Sequence, residues 1–310
     1  MREKLTEQLK SVTDPDNIFV NEEMSKHTTF RIGGCADIFV TPKSIGEAAD
    51  IVRLLLAQKA VFTVIGNGSN ILVSDNGYRG CIVCMGRGTD DINVSGNVIT
   101  AGAGAILSKV AWTAYENALT GMEFASGIPG SCGGAIVMNA GAYGGEMKDI
   151  TTSVKLLDHR SGHILELSSD EMKFGYRTSI VKEQPYTVLE ATLTLTAADK
   201  EGIKAGMDDL AQKRKSKQPL EYPSAGSTFK RPEGYFAGKL IEDSGLKGFS
   251  VGGAMVSQKH SGFIINTGNA TAKDVTGLIS KVRQTVRDKF GVMLEPEIVM
   301  LGDTLTEADK

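Results

Sequence analysis

"SGIPGSCGGAIVMNAGAYGGEM" runs from Ser126 to Met147. Gly127, Gly130, Gly133, Gly134 and Gly141 punctuate it, and the apolar run Ala135–Met138 follows the double glycine. Backbone without side chains can lie directly against a ligand. N–H groups at the start of a helix also suit phosphate oxygens, helped by the helix dipole. A tight turn would use the same glycines, so this loop alone does not name a ligand. A second loop changes the balance. In "VIGNGSN", Gly66, Gly68, Ser69 and Asn70 come directly after a strand pattern. Two such loops can grip a diphosphate from two sides. "TTFRIGGCAD" adds the pair Gly33-Gly34.

The familiar phosphate motifs are absent. Gly66-Asn67-Gly68 is followed by Ser-Asn-Ile, so the third glycine of a dinucleotide fingerprint is missing. "GYFAGKL" is one residue short of a P-loop and has Leu240 where a hydroxyl would bind magnesium. The 36 glycines are clustered rather than periodic, which excludes collagen and low-complexity linkers.

The patterns around the loops set the fold class. Helix periodicity appears over Ser44–Gln58 (with Ser44 as N-cap), Leu107–Leu119, Lys204–Lys217, Phe236–Leu246 and Lys273–Gly291. Strand patterns include "ADIFVTP", "AVFTVIG", "CIVCMG", "NVITAGAG", "TSVKLLD", "TVLEATLTL", "GGAMVS", "GFIINTG" and "PEIVMLG". "DHRSGHILEL" reads as a hairpin turning at Ser161-Gly162. The middle is strand-rich and the last third mixed, which favours α+β over a doubly wound sheet. A composition shift near Ala197–Lys204 marks a domain boundary. The expected division is 1–78 and 79–200 as two lobes of one domain and 201–310 as another, with the last strand able to return to the first.

Composition bounds the function. The chain has 310 residues, 41% apolar and 23% charged, with a net charge of −3. No basic field points to nucleic acid. The start "MREKLTEQLK" is not a secretory signal, and no apolar run approaches the roughly 18 residues of a membrane span. A cytoplasmic protein is expected, with no membrane insertion and no obligate protein partner. Cys81 and Cys84 form "CIVC", but no second pair completes a zinc site. Buried apolar cysteines and no metal are expected.

"TTFRIGG", "VIGNGSN", "GIPGSCGGAIVMNAGAYG", "YRTS", "AGSTFKRP" and "PEIVML" stand in this order along the chain. That order resembles the UDP-N-acetylenolpyruvoylglucosamine reductase family, in its shorter branch, over about residues 27–301. "GNGSN" alone is shared with other flavoproteins of the same fold. The resemblance implies an FAD-binding domain of the p-cresol methylhydroxylase type in two lobes, plus a C-terminal α+β substrate-binding domain. It implies non-covalent FAD as prosthetic group, NADPH as co-substrate, and the enolpyruvyl ether of UDP-N-acetylglucosamine as the group reduced, in one site used in turn. FAD would lie along Gly66, Asn67, Gly68, Ser69 and Asn70 and along Gly130, Ser131, Gly133 and Gly134, with Asn139, Ala140 and Gly141 near the isoalloxazine.

Reduction of an enol ether of pyruvate needs hydride at the methylene carbon, stabilisation of the resulting enolate, and one proton at the α carbon. By resemblance, Arg177 in "GYRTS" holds the carboxylate, Ser227 donates the proton, and Glu297 hydrogen-bonds the aci form. Spacing does not separate Glu297 from Glu295, or Ser227 from Ser224; the family pattern does. A serine acting as acid needs no adjacent histidine, because it is not asked to be a nucleophile. Lys217, Lys230, Tyr143 and His260 are implied as substrate contacts. The chain lacks the extra loop whose tyrosine caps substrate in the longer branch, and Arg231 replaces the asparagine common there. Other FAD enzymes of this fold and a non-catalytic nucleotide-sugar binder are the competing readings.

Overall fold

The computed structural model describes residues 2–302, which form two compact units. One comprises residues up to 20, 38–67 and 80–214; the other comprises 21–37, 68–79 and 215 onward. The chain therefore leaves the first unit twice before its long return at the end of the helix Lys200–Lys217.

In the first unit, a five-stranded sheet has the order Ile164–Ser168, Thr151–Asp158, Tyr186–Thr194, Val98–Gly102, Ile92–Ser95, antiparallel throughout. The expected hairpin is its edge, with Leu157 opposite Ile164 and Gly162 taking φ 69 in the turn. The helix Ile45–Ala57 starts where Ser44 accepts the Glu47 N–H at 3.0 Å. It is buried on two faces. Ala48, Ala49 and Val52 join the core under the five-stranded sheet, while Ile51 and Leu55 join a second cluster with Ile38, Val40, Cys81 and Val83. Two alanines with Val52 on one face and the larger Ile51 and Leu55 on the other let this helix serve both layers.

The strand Phe62–Ile65 runs parallel to Tyr78–Cys84, so "CIVC" is strand, as expected. Burial pushes the Cys81 thiol up to about 12 and the Cys84 thiol up to about 11. Both remain protonated at neutral pH.

In the second unit, the antiparallel strands Ser250–Val251, Ala254–Val256 and Ile264–Asn266 carry the helix Ala272–Phe290. Its buried residues Val275, Leu278, Ile279, Val282 and Val286 follow helical spacing. Thr271 and Asp274 form a capping box, and Gly291 ends the helix at φ 70. The early segments complete this core through Phe30, Ile32 and Leu72. The last strand, Val299–Leu301, pairs in parallel with Ile71–Val73.

The fold is α+β. The sequence patterns missed the strands Ile18–Glu23 and Ile71–Val73 and the helix Arg2–Leu9, each short or highly charged. Among the described residues no helix is long and apolar enough to cross a membrane.

Candidate active site

Within the first unit, Gly66 at the head of one glycine loop lies against Ser131 of the other. A Cβ built on Gly66 would lie 1.9 Å from the Ser131 Oγ, so only glycine lets the strand end at 65–66 rest against that serine. Ser131 is the N-cap of the helix Cys132–Met138 and accepts the Gly134 N–H at 3.3 Å. Gly133 is also tight, since its Cβ would lie 2.8 Å from that of Ala103.

The detail differs from a simple helix-dipole cradle. The N–H of Cys132 donates to Ala105 at 2.7 Å and that of Gly133 to Ala103 at 2.9 Å. With Gly134 bonded to Ser131, the first turn of this helix is already satisfied. It offers a wall of bare backbone rather than open donors. The turn 67–69 is different, because none of its N–H groups donates to a backbone carbonyl among the described residues. Gly68 holds φ 61 there and packs on the His27 carbonyl, which a Cβ would meet at 2.0 Å. The bare wall of the first unit suits close approach of a flavin nucleotide; considered by themselves, the open N–H groups and the Ser69 and Asn70 side chains are of the kind that bind phosphate oxygens. The sequence patterns missed the segment that backs this wall within the first unit, Ala103–Ala105, whose carbonyls take the Cys132 and Gly133 N–H groups. Gly104 there packs so closely on Gly86 and Thr89 that a Cβ would fall 2.4 Å from the Thr89 hydroxyl. "AGAGA" was the available signal.

Asn139 ends the Cys132–Met138 helix in the left-handed region, φ 42, and is fully buried. Its amide donates to Glu146 and to the Gly175 carbonyl, both at 3.0 Å, and its oxygen accepts the Lys148 N–H at 2.9 Å. The side chain thus ties three chain segments together. Ala140 and Gly141 follow, half-buried.

Arg177 sits at the tip of the turn 175–178, also left-handed at φ 56. Its Nη2 donates to the Gly141 carbonyl at 3.3 Å, and the guanidinium lies 5.1 Å from the Tyr176 ring centre. A non-glycine residue in this region carries strain, and such strain is characteristic of functional positions. Arg177, Asn139, Gly141 and Tyr143 are therefore one neighbourhood of the first unit.

Ser227, Glu297 and His260 form a second neighbourhood, in the other unit. Its centre is Thr228, 1% exposed. The Thr228 N–H donates to Gly262 at 2.8 Å, its carbonyl accepts the Glu297 N–H at 2.8 Å, and its hydroxyl accepts the Ile264 N–H at 3.0 Å. Three segments are thus laced side by side: 295–297, 228–230 and 262–264. Ser227 precedes Thr228 and is exposed. Ser224 is held instead through its backbone, its carbonyl accepting the Thr29 hydroxyl at 2.7 Å. Asn70, at the end of the glycine turn, donates to the Glu297 carbonyl at 3.2 Å.

The remaining candidates divide. Lys230 pairs with Glu295, which distinguishes the two glutamates: Glu295 is exposed and pairs with this lysine, whereas Glu297 is half-buried. Lys217 is the exposed last residue of its helix. His260 accepts the Gly262 N–H on Nδ1 at 3.1 Å, which leaves its proton on Nε2. Burial holds its pKa below 6.5, and Lys217 adds to that. Its Cε1 edge faces Gly238 and Gly262.

Comparison with known proteins covers nearly the whole chain. Residues 36–168 match an FAD binding domain, and residues 218–301 match the C-terminal domain of UDP-N-acetylenolpyruvoylglucosamine reductase. The reductase of Caldanaerobacter subterraneus subsp. tengcongensis is 53% identical over 98% of this chain and 100% of its own length. That of Lachnoclostridium phytofermentans is 50% identical over 98% and 99%. The solved structure of the reductase from Thermus caldophilus superposes with a TM-score of 0.78 at 33% identity, over 92% of this chain and 98% of that one.

Proposed function

The chain belongs to the UDP-N-acetylenolpyruvoylglucosamine reductase family, and on that premise we propose how its own residues share the work. It is an FAD-dependent oxidoreductase, a UDP-N-acetylmuramate dehydrogenase. It reduces the enolpyruvyl ether of UDP-N-acetylglucosamine with NADPH, a step of peptidoglycan precursor synthesis. When bound, FAD supplies the two-electron chemistry that links NADPH to the enolpyruvyl group.

Residues 66–70 and 130–134 hold the flavin nucleotide in this reading, and Asn139 acts by fixing the backbone of Ala140 and Gly141. Arg177 holds the substrate carboxylate through its planar fork while negative charge grows there. Ser227 delivers a proton from Oγ to the α carbon. An enolate carbon is a strong base, so a hydroxyl is acid enough. Glu297 hydrogen-bonds the substrate carboxylate in its aci form. Lys217, Tyr143 and His260 contact the nucleotide sugar, while Lys230 pairs with Glu295 on the segment beside Ser227. Residues 36–168 serve as the FAD-binding part and residues 218–301 as the substrate-binding part, in the cytoplasm, where both nucleotides are supplied.

The observation that carries this reading is the lacing at Thr228, which sets Ser227 and Glu297 on neighbouring paired segments, with the His260 loop on the other side. The test is a visible spectrum under anaerobic conditions. NADPH should bleach the flavin of the purified protein, and the enolpyruvyl nucleotide sugar should restore it. Recovery with oxygen or a dye but not with the nucleotide sugar would instead indicate another enzyme of the same fold.

A further inference from the structure

Tyr143 occupies the first central position of the turn Ala142–Gly145, with φ 53, and Gly144 follows at φ 95. Positive φ at both central positions defines a type I′ hairpin turn, where Asn, Asp and Gly are the usual residues. A tyrosine here holds a conformation that side chains with a Cβ rarely adopt. Packing does not explain it, because the residue is 45% exposed. Such retained strain points to function.

Arg214 lies against this tyrosine. It is on the helix Lys200–Lys217 and only 9% exposed. Its guanidinium lines one small recess with Tyr143, Phe124 and Leu210, where the Tyr143 hydroxyl is its hydrogen-bonding partner, and it packs so closely on Gly127 that a Cβ there would stand 2.9 Å from Nη1. Burial pushes the Arg214 pKa down, and the contact with Tyr143 opposes that shift. Among the described residues no carboxylate offsets its charge.

A guanidinium has five donors and no acceptor. In this pair, therefore, the phenol oxygen accepts, and its own proton remains free to be donated elsewhere. A donated hydrogen bond into the oxygen also strengthens the O–H as a donor. We propose that Arg214 is a positioning residue that fixes Tyr143 as an O–H donor to a phosphate oxygen of a nucleotide substrate. An anionic acceptor suits the pair because the buried positive charge behind the phenol has no carboxylate counterion. The inference rests on the reductase reading, in which two nucleotides carry diphosphates, and both are sources of the same chemistry.

The test measures the two half-reactions separately under anaerobic conditions: bleaching by NADPH and recovery with the enolpyruvyl nucleotide sugar. Tyr143→Phe should raise the nucleotide concentration for half-maximal rate by about tenfold in at least one half-reaction, with a smaller change in limiting rate. The affected arm names the nucleotide. Arg214→Met should do the same, and the double variant should be no worse than the single ones. Arg214→Lys, which keeps a donor, should recover part of the loss. Where Arg214→Met fails to fold, Arg214→Lys with Tyr143→Phe completes the cycle. Unchanged half-saturation in both arms for Tyr143→Phe overturns the proposal, and so do additive losses in the double variant. Loss of flavin from Arg214→Met, beside a wild-type Tyr143→Phe, overturns it as well. A wild-type protein that never turns over sinks the reductase reading instead.

Discussion

The Glu297 N–H donates to the Thr228 carbonyl at 2.8 Å, so the segment carrying the glutamate is fastened one residue from Ser227. Ser227 itself is exposed on that lattice. Removing its hydroxyl should leave the backbone pairing intact, because all three bonds belong to Thr228. Ser227→Ala should therefore keep its flavin and be bleached by NADPH at close to the wild-type rate. Recovery with the enolpyruvyl nucleotide sugar should slow by on the order of 10²–10⁴. Equal slowing of both half-reactions would make Ser227 structural.

Arg177→Lys isolates the head group. The backbone stays at the same left-handed position, φ 56, and one positive charge remains. Only the planar fork is lost. The half-reaction with the nucleotide sugar should fall by about tenfold or more, with thermal stability unchanged within about 0.5 kcal/mol. An unchanged second half-reaction would remove Arg177 from the carboxylate.

Gly66→Ala would place a methyl 1.9 Å from the Ser131 Oγ and 2.8 Å from its Cβ. One loop must move, and overpacking of this kind typically costs about 1–3 kcal/mol. The variant should purify with reduced FAD content and a lowered Tm. Ser131→Gly in the same chain removes the obstacle and should restore part of both. Failure of that rescue would show that the contact is not what makes Gly66 necessary.

Asp75 bridges distant parts of the second unit. Its carboxylate accepts the N–H groups of Ala272 at 2.7 Å and Lys273 at 3.0 Å, at the start of the helix Ala272–Phe290. Two otherwise unpaired donors and a favourable dipole end are satisfied together. Asp75→Ala should destabilise the protein by about 1–2 kcal/mol, read in denaturant midpoint, with no change in either half-reaction. A loss below a few tenths would mean that the capping box at Thr271 and Asp274 suffices.

These tests separate what was legible in the sequence from what was not. Ser44 as a cap and the Ser161-Gly162 hairpin are local, and local spacing shows them, whereas the need for glycine at 66 and 133 is set by Ser131 and Ala103, distant in sequence. Arg214 was not legible. It stands in the charged run "KRKSK", which reads as a solvated helix end, and its burial depends on Gly127 and Tyr143, far away in sequence. The segments 21–37 and 68–79 carry no composition shift, yet they fold with the C-terminal part because Phe30, Ile32 and Leu72 fill its core. The satisfied N–H groups of Cys132 and Gly133 depend likewise on carbonyls of 103 and 105, which no glycine spacing records.

His260 gives the second unit a pH-dependent element. Burial lowers its pKa below 6.5, and Lys217 acts in the same direction, while Glu242 and the local backbone oppose it. The unfolded chain therefore takes up a proton near pH 6.5 that the folded protein still refuses. Between the two values the unfolded state binds more protons, so stability rises with pH across that interval. The contribution is fully present above 6.5 and is lost as pH falls towards the folded value. Protonation would also place a hydrogen on Nδ1, which now accepts the Gly262 N–H at 3.1 Å. His260→Gln, which does not titrate, provides the reference. The difference in Tm between wild type and variant should be largest at pH 7.5 and should shrink steadily towards pH 5. A constant difference across that range would mean that His260 keeps its protonation state on folding, and that its role is packing against Gly238, Gly262 and Phe263 alone.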